Sequence, residues 1–288
     1  MTDTIEKPSD SPETPAKPLY TKRYTHYVLG ILLVVYTFNF IDRQILAILA
    51  QSIKTDLGLS DTQIGALSGV AFGIFYATLG IPIARLADRY SRVNIIAICL
   101  TIWSAMTAFS GLAQNFWHLL IARIGVGIGE AGGSPPSHSM ISDIFPPNRR
   151  ATALGFYSTG VSFGILFGFL FGGWLNEYFG WRTAFLVVGI PGVFLSGLIM
   201  LTLREPTRGL IEQKTVTAES VPLKKVIQTL WESRTFRHLS LAASLNAFSG
   251  YSTASWTASF MIRSHEMSTG ELGTWLAIII GLCGAIGV

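Results

Sequence analysis

Six apolar runs follow one another between Tyr27 and Leu203, and the charge sits in the short stretches that separate them. Each run is close to the ~20 residues that an α-helix needs to cross the hydrocarbon core of a bilayer. Folded in water, such runs would leave several apolar helices uncovered. Only 13% of the residues are charged, against about 25% in soluble domains. The strand alternation of an outer-membrane barrel is absent. The chain is therefore expected to be all-α, a polytopic membrane protein.

The spans are placed near Tyr27–Leu49, Ile64–Ala84, Asn94–Leu112, Trp117–Met140, Ala151–Gly173, Thr183–Leu203 and Phe236–Ile262. An eighth begins near Leu272 and is still running at Val288, so the chain is expected to be a piece of a longer protein. Residues 1–23 are rich in proline and acid with no apolar core, and are predicted to be a disordered tail rather than a signal peptide. Residues 24–203 form a six-span half, 204–235 a linker, and 236–288 the start of a second half. Within the linker Leu223, Val226, Ile227, Leu230 and Trp231 recur at helical spacing beside Lys224 and Lys225. This pattern predicts an amphipathic helix on the membrane surface, with a plain tether as the alternative. Cys99 and Cys283 lie in apolar runs and read as small buried hydrophobes, not as a disulfide or a metal site.

Short-loop lysines and arginines orient the spans. Lys17, Lys22, Arg23, Arg85, Arg89, Arg92, Arg149, Arg150 and the basic linker fall on one side. Lys54, Arg182 and Arg263 fall on the other. The N-terminus and linker are expected in the cytoplasm of a cell whose inner membrane holds the protein. The net charge of +4 comes from these loops and does not call for nucleic acid.

Four charges break the apolar rule. Asp42 and Arg43 interrupt span 1; Arg123 and Glu130 interrupt span 4. Each costs at least ~2.5–3.5 kcal/mol at the bilayer centre on insertion scales. Arg123, Gly127 and Glu130 share one helix face. Arg123 and Asp42 are expected at a similar depth, with Glu130 somewhat deeper. The four charges sum to zero, so protonating one carboxylate leaves a net positive site that would favour an anionic headgroup. Glu130 is the first choice for the proton-responsive group and Asp42 the second, because Asp42 has arginines beside it. A purely structural set of buried ion pairs is the competing reading. Asn39 and Ser134 join the candidate substrate- and proton-binding set with Asp42, Arg43, Arg123 and Glu130. Pro135 and Pro136 should kink span 4 near the carboxylate. His138 lies further toward the cytoplasmic end, and its direct role is the weaker reading.

An internal repeat is visible. Ser60–Gly73 matches Ser268–Gly281 at an offset of 208, and Phe40 aligns with Phe248 while Asp42 meets Gly250. Repeated halves are typical of secondary transporters. Extending the offset, a complete second half would run to roughly residue 410. Span 5 carries Gly160, Gly164, Gly168 and Gly172, a smooth face for close helix contact. Aromatics Phe38, Phe40, Trp103, Phe163 and Phe167 are candidates to line an apolar cavity, although core or lipid-facing packing is the plainer reading of each.

The loop between spans 2 and 3, GIPIARLADRYSRV, resembles motif A of the major facilitator superfamily. Leu86, Ala87, Asp88, Arg89 and Arg92 match; Ala84 and Ser91 replace its glycines and Val93 its last basic residue. The resemblance implies a conformational latch at Asp88, Arg89 and Arg92, against the bland reading of a basic anchor. The glycines of span 5 resemble motif C of some exporters. FNFIDRQILA, LADRYSR and FWHLLIARIGVGIGEAG together resemble the spinster family. That resemblance implies a twelve-span fold and, in eukaryotic members, export or uniport of lysophospholipids or sphingolipids; the motifs do not imply the substrates of bacterial members. The favoured expectation is an amphiphile such as a lysophospholipid, carried by alternating access in a monomer surrounded by membrane lipids. A proton-coupled carrier of small organic or sugar acids is the alternative in the same fold; a non-transporting receptor or scaffold is the alternative outside it. No Walker motif supports ATP-driven transport. Nothing in the spacing suggests an enzyme, and no cofactor or metal is called for.

Overall fold

A computed structural model describes residues 20–209 and 223–286, and among these every regular element is helical. Most of the expected tail and the middle of the linker lie outside the described residues. Helix α1 (Lys22–Leu57) starts where the Thr21 hydroxyl accepts from the Tyr24 N–H, and stops at Gly58, whose φ of 64° suits a residue without Cβ. Its 36 residues span roughly 54 Å at 1.5 Å each, more than the hydrocarbon core, so both ends protrude.

The second crossing is made of α2 (Asp61–Gly65), a π-helical turn (Ala66–Val70) and α3 (Ala71–Arg89). It begins with a capping box between Ser60 and Gln63. Next come α4 (Arg92–Ser110) and a fourth crossing split into α5 (Phe116–Glu130) and α6 (Ser134–Ile144). The break falls at Ala131–Gly133, just before the tandem prolines rather than at them. Prolines in the first turn of a helix lose no hydrogen bond, so α6 begins with them. Spans 5 and 6 form one long element, α7 (Pro147–Thr202), bent at Gly180, which alone in it has non-helical angles (φ 81°, ψ 162°). Then follow α8 (Leu223–Glu232), α9 (Arg234–His265), α10 (Thr269–Leu276), a second π-helical stretch (Ala277–Leu282) and α11 (Cys283–Ile286). By length and apolarity, five helical segments qualify as membrane-spanning among the described residues. The broken α5–α6 and the serine-rich α9 run alongside them. In α8, Val226, Ile227, Leu230 and Trp231 are exposed.

The glycine face of α7 carries the packing. A Cβ on Gly160, Gly164, Gly168 or Gly172 would meet successive turns of α1, from Leu33 and Tyr36 through Phe40 and Ile41 to Ile48. The two backbones therefore run nearly in contact. Two apolar cores flank this seam. One, near the arginine-rich face, joins Val28–Val35, Val93–Trp103, Val126, Met140 and Tyr157. The other, near the opposite face, joins Ile45–Ile53, Leu119, Phe169, Trp181 and Phe185. Residues 37–40 of α1 run between the two.

The repeat has structural content. Ser60 and Ser268 both cap helices, each accepting from the N–H three residues on. Each of the two crossings then carries a π-helical stretch. At the opposite face α10 closes on α7 through Gly173 and Gly273, where either Cβ would strike the other helix's backbone.

Candidate functional site

Asp42 and Arg43 are neighbours on α1 and so point about 100° apart. Asp42 turns toward α4 and α5. Its carboxylate accepts from the Thr107 hydroxyl and, at 3.4 Å, from Arg123 Nη1. Both members of that ion pair are almost fully enclosed, each 2% exposed. Arg43 turns the other way, and its Nε donates to Glu130 Oε2 at 2.8 Å. The pairs therefore cross between spans: neither Asp42–Arg43 nor Arg123–Glu130 is the bond that forms. The four charges come together and stay neutral in sum. Glu130 ends α5, directly before the Ala131–Gly133 break.

The two pairs differ in surroundings. The Arg43 side chain keeps 13% of its surface open. Its guanidinium carbon lies 5.0, 5.1 and 4.8 Å from the ring centres of Phe40, Phe72 and Tyr76, within cation–π range. Its Nη1 also donates to the Tyr251 hydroxyl of α9 at 3.4 Å. The site opens on a cavity of about 880 Å³ whose wall includes Phe40, Arg43, Phe72, Tyr76, Tyr251 and Trp256. That volume is typical of a small-molecule site. Arg123 Nε and Glu130 Oε1 in the cluster, and Asn39 Oδ1 elsewhere on α1, are buried with no hydrogen-bond partner among the described residues. Unmet polar atoms cost about 1–3 kcal/mol each, so the site has spare capacity for a proton or a polar ligand group.

Ser134 is half-buried beside the Tyr36 and Tyr157 hydroxyls, whose rings stack at 4.4 Å. His138 is exposed and sets its ring edge-on to Tyr157 at 5.3 Å. Of the aromatics singled out, Phe40 reaches the cavity, whereas Trp103 is buried beneath Gly129.

The three latch candidates separate. Arg92 is 1% exposed and donates to Glu205 Oε1 at 2.7 Å, Asp143 Oδ2 at 2.5 Å, Ser139 Oγ at 2.8 Å and the Pro206 carbonyl at 2.8 Å. Burial alone would raise the Glu205 carboxyl, but Arg92 and the Val93 N–H outweigh it and hold the group below the usual carboxylate range. Asp88 and Arg89 are exposed and form no ion pair among the described residues. At the opposite face Arg263 of α9 grips Asp61 through two nitrogens, at 2.6 and 3.2 Å, and Gln51 through Nε at 2.7 Å.

Thr107, Phe72, Tyr76 and Tyr251 join the site without having been singled out in the sequence. Thr107, Phe72 and Tyr76 carry no local signal. Tyr251 does: the offset of 208 that relates the repeats sets it opposite Arg43, and these two positions meet.

The family model described as Major Facilitator Superfamily matches residues 32–288. A solved structure, described as a bacterial homolog of the human lysosomal transporter Spinster in an inward-facing, unoccupied conformation, superposes with a TM-score of 0.83 at 40% identity, over 93% of this chain and 62% of that one. An "MFS-type efflux pump" of Mycolicibacterium smegmatis is 34% identical over 90% of this chain and 60% of its own length. A "Probable L-galactonate transporter" of Escherichia coli is 30% identical over 86% of this chain and 57% of its own. The chain thus spans about three-fifths of the length of these relatives.

Proposed function

The chain belongs to the major facilitator superfamily, and on that premise we propose that it carries an amphiphilic anion, of lysophospholipid or sphingolipid type, across the membrane by alternating access with proton coupling. The observation that carries this reading is the neutral, crossed cluster of Asp42, Arg43, Arg123 and Glu130, whose two arginines line the cavity, Arg43 with the more open side chain. Arginine is the side chain suited to carboxylate and phosphate. The aromatic wall suits an apolar chain. Proton uptake at Glu130 frees Arg43 from its carboxylate, so a proton held on Glu130 makes room for an anion on the Arg43 guanidinium. The likeness to the bacterial homolog of the lysosomal transporter Spinster supports the transport side of the reading.

A second substrate class has its own support. The relative described as a probable L-galactonate transporter carries a sugar acid in its name, and the same guanidinium suits a sugar carboxylate. In this reading the arginine-rich face is cytoplasmic and the protein sits in the inner membrane. Asp88, Arg89 and Arg92 act as the latch of that face.

Flux of lysophosphatidylglycerol and of L-galactonate, measured in proteoliposomes of the full-length protein over a pH series, tests both classes. Glu130→Gln should retain binding and lose the pH dependence. A Glu130→Gln protein with wild-type pH dependence removes Glu130 as the switch, and flux of neither probe removes both substrate readings.

A further inference from the structure

Helix α9 leaves the first half at one height. Its residues 241–253 are exposed, while 254–262 are largely covered by the first half. Tyr251 sits at that fork, 54% exposed, and its ring makes no aromatic contact among the described residues. Beside it, a Cβ on Gly250 would meet nothing within 4 Å. The bond from Arg43 Nη1 is therefore its one hydrogen bond to the first half among the described residues. Further along, the Arg263 grip on Asp61 and Gln51 ties the same helix to α1 and α2 at the opposite face. Helix α9 is thus held at two heights: by a multiply bonded, charged tie at its end and by a single long bond to an uncharged hydroxyl at the cavity.

We infer that Tyr251 is a positioning residue through which the second half reads the occupancy of Arg43: its hydroxyl stands where an anionic ligand group would bond, and the ligand displaces it. The chemistry favours that exchange. At 3.4 Å the Arg43–Tyr251 bond is long, and its acceptor is uncharged. A carboxylate or phosphate oxygen adds opposite charge to the bond and can engage the planar guanidinium with two oxygens at once. Arg43 Nε is already taken by Glu130 at 2.8 Å, so an incoming anion must use the terminal nitrogens, one of which Tyr251 holds. Displacement removes the inner tie of α9 and leaves the closure of the opposite face to the Arg263 grip and the packing of α10 on α7. Ligand capture then favours opening at that face. The symmetry of the repeat makes the device economical, because Arg43 and Tyr251 are equivalent positions, 208 apart, facing each other across the cavity.

The inference rests on the transport reading, and its test separates the two. Spin-label distances across the opposite face, in full-length protein in liposomes, report the ratio of states open and closed there. Tyr251→Phe keeps the ring and loses the hydroxyl. Without ligand it should raise the open-to-closed ratio about three- to tenfold, the scale of one lost hydrogen bond. Lysophosphatidylglycerol or L-galactonate should raise the wild-type ratio and change the variant much less. Leu245→Ala, on the same exposed stretch of α9 but away from Arg43, should behave as wild type. A Tyr251→Phe protein with the wild-type ratio in the absence of ligand overturns the inference. An anion response as large in the variant as in wild type overturns the displacement step. A wild type insensitive to both anions sinks the substrate reading, while the ligand-free ratios still decide the role of the Tyr251 bond.

Discussion

Removing Asp42 should damage this protein far more than removing its partner, and the reason is an asymmetry between acids and arginines. In Asp42→Asn, Arg123 stays 2% exposed with its Nε already unpartnered. An arginine cannot shed its proton in a protein, so the uncompensated charge remains. Breaking a buried pair in this way costs about 3–5 kcal/mol, or roughly 6–20 °C at about 2–4 °C per kcal/mol. In Arg123→Gln the group left behind is a carboxylate, still bonded by Thr107. It can take a proton and become neutral, so its penalty should shrink as pH falls, whereas the Asp42→Asn penalty stays constant. The double variant Asp42→Asn/Arg123→Gln holds no net charge and should recover about 2–3 kcal/mol relative to the sum of the singles. Thermal unfolding of detergent-purified protein at pH 5, 6.5 and 8, followed by tryptophan fluorescence, gives all the values. Strict additivity in the double variant, or equal pH dependence of the two singles, refutes the reasoning.

Arg92→Gln should destabilise by about 3–5 kcal/mol, because it strips both carboxylates at a buried guanidinium. Since Glu205 is held below its ordinary value of about 4.3, its contribution is present above that value and is lost only as pH falls through the lower folded one. The Arg92→Gln penalty should therefore be flat from pH 8 to 5, and a penalty already fading at pH 6 contradicts the assignment. Gly164→Leu should separate α1 from α7 at a cost of about 1–3 kcal/mol or more, while Gly155→Ala, with open space around it, should be neutral or stabilising; melting curves that rank them the other way sink the seam. Asp88→Asn should shift the balance of open states at the arginine-rich face more than it shifts ligand affinity, and unchanged distances across that face remove the latch reading.

The apolar runs made the helices legible, because bilayer thickness fixes their length. The glycine spacing of span 5 made its seam legible, because a four-residue period marks one face. The four charges were legible as a cluster, because burying any one alone is prohibitive. Their pairing was not. Residues adjacent on a helix point about 100° apart, so Asp42 and Arg43 had to find partners elsewhere, and only the packing angle of α1 on α5 decides which. The break before Ser134 was misplaced for a related reason: prolines mark where a helix resumes as readily as where it bends. Thr107 and the rings around Arg43 came from other spans, with no local pattern to announce them. Tyr251 was within reach through the repeat offset, once the two copies were allowed to face each other.

The crossed ion pairs also act as a wrench. Their two attachment points are adjacent on α1 but seven residues, roughly 10 Å, apart on α5. Twisting α1 about its own axis would draw one attachment tighter while tearing the other loose. The cluster thus blocks torsion of span 1 against span 4 while leaving joint tilting free. While both pairs are made, α1 and α5 move as one lever. Bending has to be sought in spans without such a brace, at the π-helical turns of the second and eighth crossings.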